Sequence, residues 1–154
     1  RRDVHFLMIG GGGPLEKKYR DLIKEIGLKN FSISGRIPQS EVPRLLSALD
    51  VGLIYMEDNL ANRCRMSLKL MEYLAMEKDV VGHIVGESRD VFEKYCFLSE
   101  PSVGSFAEAM VETITTTKKK ERARDYIKEH HDWKVVKNSL HHLLKEIHYE
   151  DRVC

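Results

Sequence analysis

The sequence has few cysteines, no long apolar run and almost no net charge, and each shortage excludes a class of protein. Its three cysteines, Cys64, Cys96 and Cys154, are an odd number without the paired spacing of a zinc site. We therefore predict reduced thiols, with no disulfide and no bound metal. No apolar run approaches the roughly 18 to 20 residues that span a bilayer. With 25 Lys and Arg against 24 Asp and Glu, the net charge is +1, so no global field draws the chain to nucleic acid or anionic lipid.

A length of 154 residues suits one domain with a sizeable core, and we predict a single domain over 1–154. The start lacks the apolar segment of a signal peptide, and no Met precedes the first apolar strand. We therefore expect a piece of a longer, cytoplasmic protein. In the full-length protein, peripheral contact with the inner face of the membrane is a further expectation.

Short apolar runs alternate along the chain with stretches of helical periodicity, and glycine or polar residues separate them. This alternation predicts right-handed crossovers and a parallel sheet covered by helices on both faces, a Rossmann-like three-layer α/β sandwich. Ligands of such a fold bind at the carboxyl ends of the strands. The predicted strands are 4–9, 31–34, 51–55, 79–82 and 96–98, and the predicted helices are 14–26, 40–50, 67–75, 89–95, 103–115, one beginning at 118, and 133–148.

The stretch 65–75 has the pattern of a helix start that can bind a ligand. Ser67 can cap the helix, and the amides of Leu68, Lys69 and Leu70 would then leave the first turn without an internal partner. Such an end suits a phosphate. The core face of the helix carries Leu70, Met71, Leu74 and Ala75, and the other face carries Lys69, Glu72 and Tyr73. The alternative is an ordinary surface helix on which Lys69 and Glu72 form an ion pair worth a few tenths of a kcal/mol.

Other patterns argue against several kinds of site. The glycines at 10–13 lie between a strand and a helix, but Leu15 replaces the third glycine of a dinucleotide fingerprint, so no nicotinamide or flavin is expected. The lysines at 118–120 are followed by acidic residues, which is typical of a solvated face rather than a nucleic-acid site. The histidine pairs 130–131 and 141–142 are neighbours that point apart on a helix, so they do not form a metal site. No self-contained catalytic constellation is found.

Several short motifs, in this order and at these spacings, resemble the carboxyl-terminal half of group 1 glycosyltransferases. No one of them is specific alone, but together they cover nearly all of the chain, with Gly86 and Trp133 among the further matches. The motifs are Gly10-Gly11-Gly12-Gly13-Pro14-Leu15, Ser34-Gly35-Arg36-Ile37-Pro38, Leu49-Asp50-Val51, Lys69-Leu70-Met71-Glu72-Tyr73-Leu74-Ala75 and Val80-Val81.

The resemblance implies a retaining, family 4-like enzyme of the GT-B type, which has two Rossmann-like domains. This half would bind the nucleoside-diphosphate sugar, and an amino-terminal domain absent here would supply the site for a glycan or lipid-linked acceptor. The helix 133–148 would pack back toward that domain. The resemblance implies no metal and no cofactor besides the sugar donor. We expect this chain alone to be inactive in sugar transfer.

The resemblance also implies the contacts of the donor. Glu72 matches an acidic residue that accepts hydrogen bonds from the ribose hydroxyls, and the helix start before it matches the diphosphate site. One loop matches the segment along which the base lies, and the glycine turn matches one that lets the donor come close. The implied residues are Gly11 and Gly12 for the turn, Arg36 and Ile37 for the base, Ser67, Leu68 and Lys69 for the diphosphate, and Glu72 for the ribose.

One position departs from the pattern of many family members. They carry a second glutamate eight residues before the ribose residue, where this chain has Cys64, so no contact with the sugar is assigned. The order Ser67, Lys69, Glu72 matches another branch of the family. Two other functions remain as alternatives: a nucleotide-sugar epimerase of the same two-domain type, and a non-catalytic nucleotide-binding module.

Overall fold

The computed structural model describes residues 3–117 and 121–150. The chain forms two compact units, the first ending at Ala48 and the second beginning at Leu49. Both are mixed α/β, and the strands described in each pair in parallel, which confirms the predicted fold class. These strands form two sheets, one in each unit, and not the single sheet that was predicted. The lysines at 118–120 and the predicted free thiol of Cys154 lie outside the described residues. The helix predicted to begin at 118 begins only at Arg124, because residues 121–123 are not helical.

The first unit is a strand, helix, strand motif followed by a short helix. Strands β1 and β2 pair in parallel with Phe6 beside Phe31, whose rings stack with centroids 6.2 Å apart. The predicted helix 40–50 is shorter than expected. A 3-10 turn, Gln39–Glu41, precedes it, and Pro43, which has no N–H, lies in its first turn, where none is needed. The elements are β1 (Phe6–Met8), α1 (Leu15–Glu25), β2 (Phe31–Ile33) and α2 (Val42–Ser47).

The second unit contains a three-stranded parallel sheet in the order β3, β4, β5. Its strands are β3 (Val51–Tyr55), β4 (Asp79–His83) and β5 (Cys96–Leu98), and a 3-10 turn, Glu93–Tyr95, precedes β5. Its helices are α3 (Leu60–Arg63), α4 (Leu68–Ala75), α5 (Glu87–Phe92), α6 (Val103–Thr115), α7 (Arg124–His130) and α8 (Trp133–Glu150).

Helices cover both faces of this sheet, as a three-layer sandwich requires. Every residue of β4 is buried, and side chains that alternate along the strand enter two different clusters. Val80 packs with Leu70 and Leu74 of α4, whereas Val81 packs with Ala109 of α6. The central strand therefore carries the core of the unit, and α4 is anchored on one side of it.

Several details of the second unit differ from the sequence prediction. The helix predicted at 89–95 begins earlier, as α5 (Glu87–Phe92), and its last residues form the 3-10 turn Glu93–Tyr95. The segment 56–65 was expected to be a loop, but it contains α3, because the side chain of Asn59 accepts a hydrogen bond from the Asn62 amide and caps that helix. Tyr73 was expected on the free face of α4, but it is half-buried. A side chain on Gly52 would collide with the Tyr73 ring, so the missing side chain at Gly52 makes room for the tyrosine.

The last helix has the predicted cap, and its predicted apolar stripe is exposed. The Asp132 carboxylate accepts a hydrogen bond of 2.7 Å from the Lys134 amide. The predicted packing of this helix against an amino-terminal domain stays a prediction. Among the described helices, none is long and apolar enough to cross a membrane. The exposed stripe consists of Val136, Leu140, Leu143, Leu144 and Ile147.

Helices α1 and α4 end in the same way, but with different residues in the left-handed position. At the end of α1 this residue is Gly27, with φ of 69°, as the sequence predicted, and at the end of α4 it is Glu77, with φ of 56°. In both, two amides bond back to the last turn; the Glu77 and Lys78 amides bond the Leu74 and Tyr73 carbonyls at 3.0 Å. Glycine adopts this conformation without strain, whereas a side chain such as that of Glu77 makes it unfavourable.

We therefore expect Glu77→Gly to stabilise the second unit by roughly 0.5 to 1 kcal/mol, measured by urea unfolding. The Glu77 carboxylate also lies 3.8 Å from Arg124, but both groups are about half exposed, so losing that pair should cost little. Gly27→Ala is the matched variant and should destabilise the first unit by a similar amount. A lower stability for Glu77→Gly would show that the side chain contributes more than the strain costs.

Candidate functional site

The start of α4 has the capped geometry that the sequence predicts. Ser67 is buried with an extended backbone, and its hydroxyl oxygen accepts a hydrogen bond of 3.4 Å from the Leu70 amide. The Ser67 carbonyl accepts the next hydrogen bond of the helix, from the Met71 amide, at 3.1 Å. Within the described part of the chain, the amides of Leu68 and Lys69 have no acceptor. The helix therefore presents two free N–H groups at its positive end.

The charged side chains beside these amides are exposed and are not paired with one another. Lys69 and Glu72 form no ion pair within residues 3–117 and 121–150, so the surface pair that the sequence left as an alternative is not formed. Arg65, which precedes the cap, is exposed and also forms no such pair among the described residues. Burial, and secondly the Glu72 carboxylate, raise the pKa of the neighbouring Tyr73. Relative to the described part of the chain, the helix start thus carries two unpaired cations and one unpaired carboxylate.

A buried serine fixes the loop that leads into α4. Ser88, in the first turn of α5, is fully buried, and its hydroxyl donates to the Arg65 carbonyl at 3.0 Å and accepts from the Ser67 amide at 3.2 Å. Nothing in the local pattern around residue 88 indicates this role, because its partners lie more than 20 residues earlier.

Other polar side chains gather at the carboxyl ends of β3 and β4, and the sequence reasoning did not find them. His83 ends β4; it is buried, and its Nδ1 lies 2.7 Å from the Met56 carbonyl oxygen. Nearby, Arg63 makes two hydrogen bonds to Asp58, which lower the pKa of that carboxyl group and raise the pKa of the guanidinium. The sequence did contain one signal for this position, because His83 is a polar residue that directly follows the apolar run of β4.

In the first unit, the glycine turn folds around a carboxylate of the chain itself. A side chain on Gly11 would collide with Glu16 and with the Gly35 backbone, so the turn is tightly packed. The Gly12 amide donates a hydrogen bond to the Glu16 carboxylate, which also pairs with Arg20 at 2.7 Å. The Gly12 amide, and then Arg20, lower the pKa of Glu16. Gly12 is therefore not an open donor in this structure, because an internal anion occupies its amide.

The loop after β2 lies against this turn. Gly35 has φ of 72° and forms an isolated bridge with Gly10, whose amide donates to the Ser34 hydroxyl at 2.9 Å. The Cβ of Arg36 lies 3.7 Å from the place that a side chain on Gly12 would take. Arg36 is exposed, and Ile37 is half-buried. The structure thus brings Gly11, Gly12 and Arg36 together within the first unit, and Ser67, Leu68, Lys69 and Glu72 together within the second.

The comparison with known proteins identifies the family. No curated protein matches the sequence. The family model described as "Glycosyl transferases group 1" matches residues 1–116, and this range includes both groups of residues described above. Since the match covers well over half of the 154 residues, the chain belongs to the group 1 glycosyl transferases.

Proposed function

We propose that this chain is the carboxyl-terminal, donor-binding domain of a retaining, family 4-like glycosyltransferase of the GT-B type. It would bind a nucleoside-diphosphate sugar, whose sugar the whole enzyme transfers to a glycan or lipid-linked acceptor held by an amino-terminal domain. Membership of the family establishes sugar transfer in general. The observation that carries the finer proposal is the pair of free amides at the start of α4.

These amides have the properties that a diphosphate needs. The N–H groups of Leu68 and Lys69 and the partial positive charge of the helix end favour an anion, and Arg65 and Lys69 add full positive charges beside them. During sugar transfer, negative charge develops on the departing diphosphate. Fixed donors that already point at that charge stabilise the transition state without reorganising. No metal is required for this, and no cofactor other than the donor is proposed.

The remaining donor contacts are proposed from the family resemblance. Glu72 lies about one turn after the free amides and would accept hydrogen bonds from the ribose. In the first unit, Arg36 and Ile37 are proposed to contact the base, and Gly11 and Gly12 to allow close approach of the donor. Because Glu16 occupies the Gly12 amide, a donor that bonds this amide must first displace that carboxylate.

The proposal is tested by titrating the ¹⁵N-labelled chain with uridine, guanosine and adenosine diphosphates and with inorganic pyrophosphate. We expect saturable shifts of the Leu68 and Lys69 amides with pyrophosphate and with at least one nucleotide, and no such shifts with the nucleosides. We also expect the chain alone to transfer no sugar to added acceptors.

The chain contains its own control for unspecific anion binding. Helix α6 begins with the same kind of cap, in which the Ser102 hydroxyl accepts a hydrogen bond of 3.1 Å from the Ser105 amide. Its first two amides, of Val103 and Gly104, correspond to those of Leu68 and Lys69, but no cation stands beside them in the sequence. The Val103 and Gly104 amide signals should not shift when pyrophosphate or a nucleotide is added. Equal shifts at both helices, or none at α4, would contradict the proposed diphosphate site.

A further inference from the structure

The loop before α4 is held by one hydroxyl group from a distant part of the chain. Ser88 is fully buried in α5, and its Oγ lies between two backbone groups on either side of Met66. It donates to the Arg65 carbonyl at 3.0 Å and accepts from the Ser67 amide at 3.2 Å. A single side chain therefore fixes two successive parts of the backbone that leads into the cap.

The orientation of this backbone decides where the free amides point. Ser67 caps α4 only while its backbone stays extended, with φ of −80° and ψ of 112°. The Ser67 N–H bond to Ser88 holds the peptide plane on one side of this residue, and the cap to Leu70 holds the helix on the other. If the peptide plane before Ser67 turned, the φ angle of Ser67 would change with it, and the helix start would no longer keep the Leu68 and Lys69 amides aimed at a common anion.

We propose that Ser88 is a positioning residue for diphosphate recognition: it contacts no ligand itself, but aims the amides of Leu68 and Lys69 through the backbone of residues 65–67. This inference rests on the proposed function of the α4 start. An alternative role is purely structural, in which the hydroxyl only satisfies two buried backbone groups and so contributes to the stability of the second unit.

A second buried serine offers a matched control. Ser99 is 4% exposed, comparable with Ser88 at 0%, but its hydroxyl oxygen has no hydrogen-bond partner among the described residues. Ser99→Ala and Ser88→Ala remove the same atom from the interior of the same unit. Only the second change removes bonds to the backbone that leads into α4.

The experiment measures dissociation constants for inorganic pyrophosphate, and for the diphosphate and monophosphate of the nucleoside that binds best. Each variant is studied well below its own melting temperature. We expect Ser88→Ala to weaken pyrophosphate and diphosphate binding by about 10-fold, the effect of losing one hydrogen bond between a helix amide and the ligand. Monophosphate binding should weaken less, since a single phosphate needs fewer aligned amides. Ser99→Ala should bind all three ligands as the parent does.

Ser88→Cys keeps a weak donor and acceptor at the same position, so it should weaken diphosphate binding by less than Ser88→Ala. The cysteine variant also serves if the alanine variant does not fold. Unchanged diphosphate affinity in either folded Ser88 variant, or equal losses for diphosphate and monophosphate, would overturn the positioning role of Ser88. Neither result would contradict the diphosphate site itself. If the Leu68 and Lys69 amides of the parent do not respond to pyrophosphate, the proposed diphosphate site fails, and the inference fails with it.

Discussion

Replacing Glu72 with alanine should weaken nucleoside-diphosphate binding by about 10- to 100-fold. Glu72 is exposed, and it lies about one turn inside α4 from the free amides of Leu68 and Lys69. If those amides hold the diphosphate, this spacing brings the carboxylate beside the ribose next to it. Hydrogen bonds from ribose hydroxyls to a carboxylate are charge-assisted and contribute roughly 1.5 to 3 kcal/mol, which gives the expected factor.

Calorimetry on Glu72→Ala measures this effect, and its melting temperature is measured alongside. Glu112→Ala is the matched control, because Glu112 is an exposed glutamate on another helix of the same unit, and its loss should leave binding unchanged. Lys69→Ala should cost less than Glu72→Ala, and its effect should shrink as salt is added, since an exposed point charge is screened. If folded Glu72→Ala binds as tightly as the parent, Glu72 does not contact the donor.

The start of α4 could be predicted because a helix cap is a local feature. Ser67 and Leu70, the two residues of the cap, are three positions apart, and their spacing is visible in the sequence. The same holds for the left-handed Gly27 after α1 and for the Asp132 cap of α8. Alternation of apolar runs and helical stretches likewise predicted the parallel pairing of the strands.

Features that depend on distant residues could not be predicted in the same way. Ser88 bonds the Ser67 amide across 21 residues, and nothing near Ser88 in the sequence indicates that partner. Tyr73 lies at the border between the polar and apolar faces of α4, so periodicity alone does not decide its burial. The absence of a side chain at Gly52, on a neighbouring strand, decides it.

The apolar stripe of α8 shows a further limit of periodicity. The spacing of Leu140, Leu144 and Ile147 correctly predicted one apolar face on this helix, but a hydrophobic pattern does not show what covers it. In the structure these three side chains are each more than half exposed. A sequence pattern therefore predicts amphipathicity more directly than it predicts burial.

Gly86 joins the two kinds of feature, because both its local conformation and a distant contact require glycine. Its φ of 58° and ψ of −146° belong to a region that is almost confined to glycine. A side chain at this position would also collide with the Arg63 backbone, at both the carbonyl oxygen and the Cα. The close approach of Gly86 to Arg63 thus holds α5 against the end of α3, just before the loop that Ser88 bonds.

We therefore expect Gly86→Ala to destabilise the second unit by roughly 3 kcal/mol or more, the sum of backbone strain and a collision with backbone atoms that cannot rotate away. Thermal and urea unfolding measure this loss. Gly104→Ala is the control: a side chain there meets nothing within 4 Å, and the residue lies in α6, so the same substitution should be neutral or stabilise by up to about 1 kcal/mol.

Because the collision pushes on the backbone just before residues 65–67, Gly86→Ala should also weaken diphosphate binding where it still folds. A Gly86→Ala variant as stable as Gly104→Ala would mean that the Gly86 turn has room for a side chain, and that α3 and α5 do not approach this closely.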